Sequence, residues 1–240
     1  MKRSFESEAV ARDVSRRAKR GNRCHVFSSV KNPGQTIAAE SFLERDIGFL
    51  IELDPRVLRF LEQPFTLELT TGQELPSRKA FVPRPGITPC FYTPDFLCQL
   101  ADGVRVVIEV KSTALLSKEL SKLRRAKDVL ESLGYRFTIL TEQDLNPQLL
   151  SNIQYLKSVA APYLQDELHS VLDTLNMAAT ERQCWTAKDL ARTTRMGLFG
   201  IAIAVFHGIF HADLNNNLFA PDTQLFASFG DLSHLQVLPL

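Results

Sequence analysis

Apolar and polar residues along the chain fall into two periods. Phe42, Leu43, Ile47, Leu50 and Ile51 recur at helical spacing and predict a helix over 40–53 that Asp54-Pro55 ends. Val57 to Leu61 then reads as a short extended segment. Gln63 to Leu69 alternates as a strand before a Thr71-Gly72 turn. Pro76 to Pro89 is rich in proline and basic residues and predicts an exposed loop. A hairpin follows, with strands Phe91–Leu100 and Val104–Lys111 around Ala101-Asp102-Gly103. Ser117 is the expected cap of a helix with an apolar stripe at Leu120, Leu123, Ala126, Leu130 and Leu133, stopped by Gly134. Tyr135–Leu140 predicts a strand, and Asn146-Pro147 opens a helix through Lys157. After Ala160-Ala161-Pro162 the pattern changes to helices at Tyr163–Met177, Thr186–Thr194 and Leu198–His211. A turn-rich stretch and a strand at Gln224–Ser228 follow. This is the outline of a winged-helix module. The expected organisation is a basic arm over 1–36, with one short helix near Ser7–Arg20, an α/β domain over 37–160, and a smaller, mainly helical domain over 161–240.

Composition narrows the classes. The 240 residues are 45% hydrophobic, which suits a globular protein of one or two domains. Met1-Lys2-Arg3 leads into a polar segment rather than a signal sequence, and the apolar run Gly197–Phe210 is too short to span a membrane. A cytoplasmic protein with no membrane partner is expected. Cys24, Cys90, Cys98 and Cys184 show no C-x-x-C spacing and read as free thiols, and a zinc site from Cys90 and Cys98 lacks correctly spaced partners. The net charge of +1 hides an asymmetry. Residues 161–240 hold eight acidic against four basic side chains, a balance of −4, so residues 1–160 carry +5. Lys2, Arg3, Arg12, Arg16, Arg17, Lys19, Arg20 and Arg23 crowd the start, where they suit either a polyanion partner or a solvated arm.

The candidate chemistry lies in the hairpin. Val104-Arg105-Val106-Val107-Ile108 runs into Glu109-Val110-Lys111, and Asp95 follows Pro94 on the other strand. Buried carboxylates are costly unless paired or bound to a metal. Residues i and i+2 of a strand share a face, so Glu109 and Lys111 project together while Ile108 and Val110 pack inward, and the hairpin returns Asp95 beside them. Two carboxylates on adjacent strands suit a hard divalent cation such as Mg²⁺, with Mn²⁺ as a substitute. Glu44, on the helix over 40–53 and close to its apolar face, is the expected third carboxylate, ahead of Glu40 and Asp46. Glu44, Asp95, Glu109 and Val110 form the expected metal shell, and Glu44, Asp95, Glu109 and Lys111 the catalytic set. Such a set is equipped for metal-dependent phosphodiester hydrolysis, with the lysine stabilising the crowded transition state. The bland alternative is a surface ion pair at a hairpin end. No Ser or Cys nucleophile has an obvious His partner, and no Gly-rich phosphate loop is present. P-D-x(13)-E-x-K within helix, strand, strand-turn-strand, helix, strand is the core of PD-(D/E)xK nucleases, the restriction-endonuclease-like fold.

The segments 44-ERDIGFLIELDPRVLRFLEQPFTL-67, 93-TPDFL-97, 109-EVK-111 and 146-NPQLLSNIQYL-156 resemble the TnsA-type transposon-end endonucleases over about Ala39 to Val159. The resemblance implies a catalytic Glu at Glu44, the aspartate at Asp95 and the E/Q-x-K pair at Glu109 and Lys111. Some members carry Gln where this chain has Glu109. Gln63, in the Glu62-Gln63-Pro64 motif, reads as positional. The resemblance further implies cleavage of the 5′, non-transferred strands at transposon ends. A DDE transposase would handle the 3′ ends, an AAA+ regulator would control the complex, and a C-terminal winged-helix-like domain would complete the chain. A bacterial, nucleoid-associated location goes with that role.

Lys118, Lys122 and Arg125 share one face of the helix after the hairpin, and Arg78, Lys79 and Arg84 sit on the preceding loop. All six are expected phosphate contacts, with nothing that predicts base readout. The acidic C-terminal module is expected to dock a protein. His207 and His211, at i and i+4, read as packing residues, Trp185 as a core anchor, and the apolar Leu235–Leu240 ending as a docking tail or a packed terminus. Two rival readings stand beside the transposon endonuclease: a stand-alone defence or repair nuclease of the same fold, and a catalytically inactive DNA- or protein-binding scaffold.

Overall fold

A computed structural model of the chain describes Ala11, residues 24–86, 88–159 and 165–240. The eight basic residues that crowd the start of the arm, the short helix expected there apart from Ala11, and the first residues of the helix expected from Tyr163 lie outside that set. The chain divides into two compact units, one comprising 1–51, 56–144 and 239–240, the other 52–55 and 145–238.

The first unit opens with a hairpin of β1 (His25–Ser28) and β2 (Thr36–Ala39), then helix α1 (Phe42–Leu53). Strands β3 (Val57–Glu62), β4 (Thr66–Glu68), β5 (Gln73–Leu75), β6 (Phe91–Tyr92), β7 (Phe96–Leu100) and β8 (Arg105–Val110) follow, then α2 (Thr113–Ser132) and β9 (Arg136–Leu140). The main sheet has the order β3-β7-β8-β9, with β8 and β9 parallel and the other neighbours antiparallel. This is a mixed α/β architecture with a mixed sheet, consistent with a nuclease-like fold. A parallel pair needs a crossover, and α2 supplies it.

The hairpin expected over 91–111 is divided. Phe91 and Tyr92 pair with β4 in the second sheet, order β5-β4-β6, and only Phe96 onward joins β8. The continuous apolar run of β8 has a simple cause: both faces are covered. Val107 and Leu97 face a core with Leu123, Ala126 and Leu130 of α2. On the other face, Gly48 of α1 lies against Phe27 and Phe96. A Cβ there would sit 2.9 Å from Phe27 Cζ, so only glycine lets α1 approach this closely without displacing that ring.

Helix α2 starts a turn earlier than Ser117. Its N-cap is Ser112, whose side chain makes no capping bond; the Glu142 carboxylate, remote in sequence, accepts the Thr113 N–H at 3.0 Å instead. Leu120 is 38% exposed, so the buried stripe runs through Leu123, Ala126 and Leu130.

The second unit begins with α3 (Pro147–Val159), which the composition change at Pro162 had grouped with the preceding domain. Its packing explains the difference. Asn152, 1% exposed, donates from Nδ2 to the Leu214 and Asn216 carbonyls at 2.9 and 2.7 Å, and α3 packs on α6. Helix α4 (Gln165–Glu181), strand β10 (Cys184–Thr186), α5 (Ala187–Thr194), α6 (Gly197–Phe206), β11 (Phe210–His211) and β12 (Gln224–Ala227) complete it, with sheet order β10-β12-β11. Trp185 is buried and donates its indole N–H to Ala178 and Arg182 carbonyls. Because α6 ends at Phe206, His207 caps it and His211 lies on a strand, so the two histidines do not share a helix face. Among the described residues, no disulfide joins the cysteines and no helix is long and apolar enough to cross a membrane.

Candidate active site

Four stretches of the first unit bring carboxylates to one pocket of about 230 Å³. Its lining includes Glu44 from α1, Asp95 from the start of β7, Glu109, Val110 and Lys111 from the end of β8, and Glu119 and Lys122 from α2. Glu40, Arg78, Tyr92 and Thr93 complete it. The four residues expected as catalytic are therefore neighbours in space. Of the six expected phosphate contacts, Arg78 and Lys122 line the pocket, whereas Lys79, Arg84, Lys118 and Arg125 are exposed elsewhere on the loop and helix.

Each carboxylate is held by protein donors. Asp95 Oδ2 accepts the Val110 N–H at 2.8 Å, and Oδ1 accepts from Gln63 Nε2 at 3.3 Å. Glu109, 3% exposed, accepts the Tyr92 hydroxyl at 2.8 Å on Oε2, and its Oε1 lies 3.1 Å from Lys111 Nζ. The same ammonium is 3.4 Å from Glu119 Oε2. Glu44 has a local structural role as well. Ser41 Oγ accepts the Glu44 N–H at 3.1 Å, and Glu44 Oε2 accepts the Glu40 N–H at 2.8 Å. This reciprocal S-x-x-E arrangement is a variant of the capping box, with the back-bond shifted from the cap residue's own N–H to that of Glu40, and its pattern is visible in the sequence as Ser41-Phe42-Leu43-Glu44.

The electrostatics differ from those of ordinary ion pairs. Burial, then the Glu109 and Glu44 carboxylates, push Asp95 well above the usual carboxylate range. Burial likewise raises Glu109 and Glu44, against the pull of Lys111 and of their hydrogen bonds. Burial alone would lower Lys111, but Glu109 and then Asp95 hold it above its usual value. The pocket thus keeps its lysine charged and leaves negative charge only partly neutralised.

An all-oxygen donor set with surplus negative charge fits a hard divalent cation. Among the described residues, no three His, Cys, Asp or Glu side chains form a metal-holding group as they stand. Every oxygen of Asp95, Glu109 and Glu44 is instead turned to a protein donor. The Val110 amide is engaged by Asp95, so its carbonyl is the group it has left to offer. Among the described residues, Cys90 and Cys98 belong to no such group either.

Sequence reasoning passed over Tyr92 and Glu119. Tyr92 was legible only as part of an alternating strand, and Glu119 only as one charge among many on α2. Gln63 proves closely tied to Asp95. Its backbone N–H donates to the Asp95 carbonyl at 2.9 Å, its φ of +42° is strained for a residue with a side chain, and it is 3% exposed.

No curated protein matches the chain. Residues 54–142 match the family described as TnsA-like endonuclease N terminal, a span that contains Asp95, Glu109 and Lys111 and begins after Glu44. Over residues 54–142 the chain is thus similar to the TnsA-like endonuclease N-terminal family, which supports a TnsA-type endonuclease.

Proposed function

We propose that the protein is a divalent-cation-dependent DNA endonuclease that cuts the 5′, non-transferred strands at transposon ends within a heteromeric cut-and-paste complex. The carrying observation is the single pocket that gathers Glu44, Asp95 and Glu109 beside the Lys111 ammonium, where burial raises both Asp95 and Glu109 and the Glu109 carboxylate raises Asp95 further. The family match adds an endonuclease related to transposition, acting on DNA with other subunits. A DDE transposase and an AAA+ regulator are the partners that this role calls for, and a cytoplasmic, nucleoid-associated location follows from the substrate.

In this reading Asp95, Glu109 and the Val110 carbonyl hold Mg²⁺ or Mn²⁺, with Glu44 joining them when it leaves its cap. The bound ion supplies Lewis-acid stabilisation of the phosphate and a lowered pKa for the attacking water. Lys111, kept charged by Glu109, faces the developing negative charge of the phosphate. Arg78 and Lys122, on the pocket wall, hold the flanking backbone, while Lys79, Arg84, Lys118 and Arg125 extend a sequence-independent contact along the DNA.

From α4 onward, the second unit's order of helix, strand, two helices and two strands, with β12 between β10 and β11, supports a winged-helix-like assignment. Its helix α6, GLFGIAIAVF, carries no charged residue, and residues 161–240 carry −4, which favours docking of a protein over reading of DNA.

The test is nicking of transposon-end DNA with Mg²⁺, by wild type and Asp95→Ala, with and without the transposase. Cleavage that needs both Asp95 and the transposase supports the proposal. Unaided cleavage of generic DNA supports a stand-alone nuclease, and full activity of Asp95→Ala leaves only the scaffold reading.

A further inference from the structure

Tyr92 lies three residues before Asp95 but in a different sheet, with Leu67 of β4 as its partner. Its ring belongs to the core cluster of Leu67, Leu97, Val107 and Tyr135, and meets the Phe137 ring edge-on at 6.3 Å. The residue is 3% exposed, and its hydroxyl reaches the pocket wall, 2.8 Å from Glu109 Oε2. A tyrosine has two rotatable side-chain bonds, and packing fixes both here. It therefore presents a donor at a set point with little entropy left to lose.

We propose that Tyr92 is a positioning residue for Glu109, and through it for the divalent cation. One carboxylate oxygen is tied to the phenol, so the plane of the group and the aim of the other oxygen are fixed. The inference rests on the nuclease reading above. Lys111 is partly exposed and its flexible stem sets no plane, so the rigid constraint on Glu109 comes from Tyr92. Groups of this kind, which orient a ligating side chain without touching the ion, change metal affinity or activity by roughly 10–100-fold when removed. A purely structural role predicts something else: a buried hydroxyl that merely needs an acceptor leaves metal binding untouched when it is deleted.

Calorimetric titration of the full-length protein with Mn²⁺ separates these. Tyr92→Phe keeps the ring and its packing. Its melting temperature stays near that of wild type, its Mn²⁺ affinity falls by about 10–100-fold, and its nicking rate recovers part of the loss at saturating Mn²⁺. Tyr92→Leu loses packing as well and melts lower. Wild-type affinity and a wild-type metal dependence of nicking in Tyr92→Phe overturn the role of Tyr92. The nuclease reading fails in a different way: wild type then takes up no Mn²⁺, or Asp95→Ala takes up as much as wild type, and the role of Tyr92 falls with it. Binding that Asp95→Ala abolishes and Tyr92→Phe leaves unchanged overturns the Tyr92 inference alone.

Discussion

Two regions of the first unit place carboxylates in apolar strands, with opposite outcomes. At the end of β4, Glu68 is 0% exposed and accepts four hydrogen bonds: from the Thr70, Thr71 and Cys90 N–H groups at 3.0, 2.8 and 2.8 Å, and from the Thr71 hydroxyl at 2.8 Å. Burial alone would raise its pKa, but these donors overcome it and hold the group at about 2. At the start of β7, Asp95 has one close backbone donor and one longer amide contact, faces two other carboxylates, and is pushed the other way. A buried acid surrounded by donors is a structural tie. A buried acid surrounded by other acids stores electrostatic energy that a cation releases.

That contrast can be broken by substitution. Asp95→Asn should lower cleavage by about a thousandfold, the scale expected when a principal charge-stabilising group is lost, while raising stability by about 1 kcal/mol, because a repelled charge is gone. Nicking assays and denaturant melts on one sample read both, and a loss of stability would contradict the electrostatic account. Glu68→Gln should do the reverse, costing about 3 kcal/mol at neutral pH because its amide group faces N–H donors. Its folded pKa is depressed, so its contribution is present above about 4.5 and is lost as pH falls toward about 2. Measuring the difference between wild type and Glu68→Gln across that range checks the sign.

The smallest expected effect is at Glu62, where burial lifts the pKa to about 7. Here the folded chain holds the proton more tightly than the unfolded one. The associated stability is complete below about 4.5 and declines as pH rises to about 7. Glu62→Gln should flatten that decline without altering the profile below it.

The helix α1 and the β7–β8 turn were legible because each has a strong local cause: an apolar stripe ended by Asp-Pro, and a Gly103 turn with φ +85°. The gathering of Glu44, Asp95, Glu109 and Lys111 was legible because strand parity and a tight turn leave few places for those side chains. Other features depend on long-range partners. The start of α2 is set by Glu142, thirty residues from Ser112. Strands β5 and β10 are only three residues long and exist through their pairing. Tyr92 looks like any core aromatic until the sheet crossover turns its hydroxyl toward Glu109. The capping box of Glu44 was written locally, and it means that this residue stabilises the start of its helix besides lining the pocket.

The parallel register of β8 and β9 has a consequence for biosynthesis. The Lys111 N–H is anchored on the Leu140 carbonyl at 3.0 Å, and Leu140 arrives only after the whole of α2. A polypeptide still emerging from the ribosome therefore cannot lock its lysine beside Glu109 until some thirty further residues have been made. Whatever chemistry the pocket performs thus awaits a chain that has been made at least as far as β9.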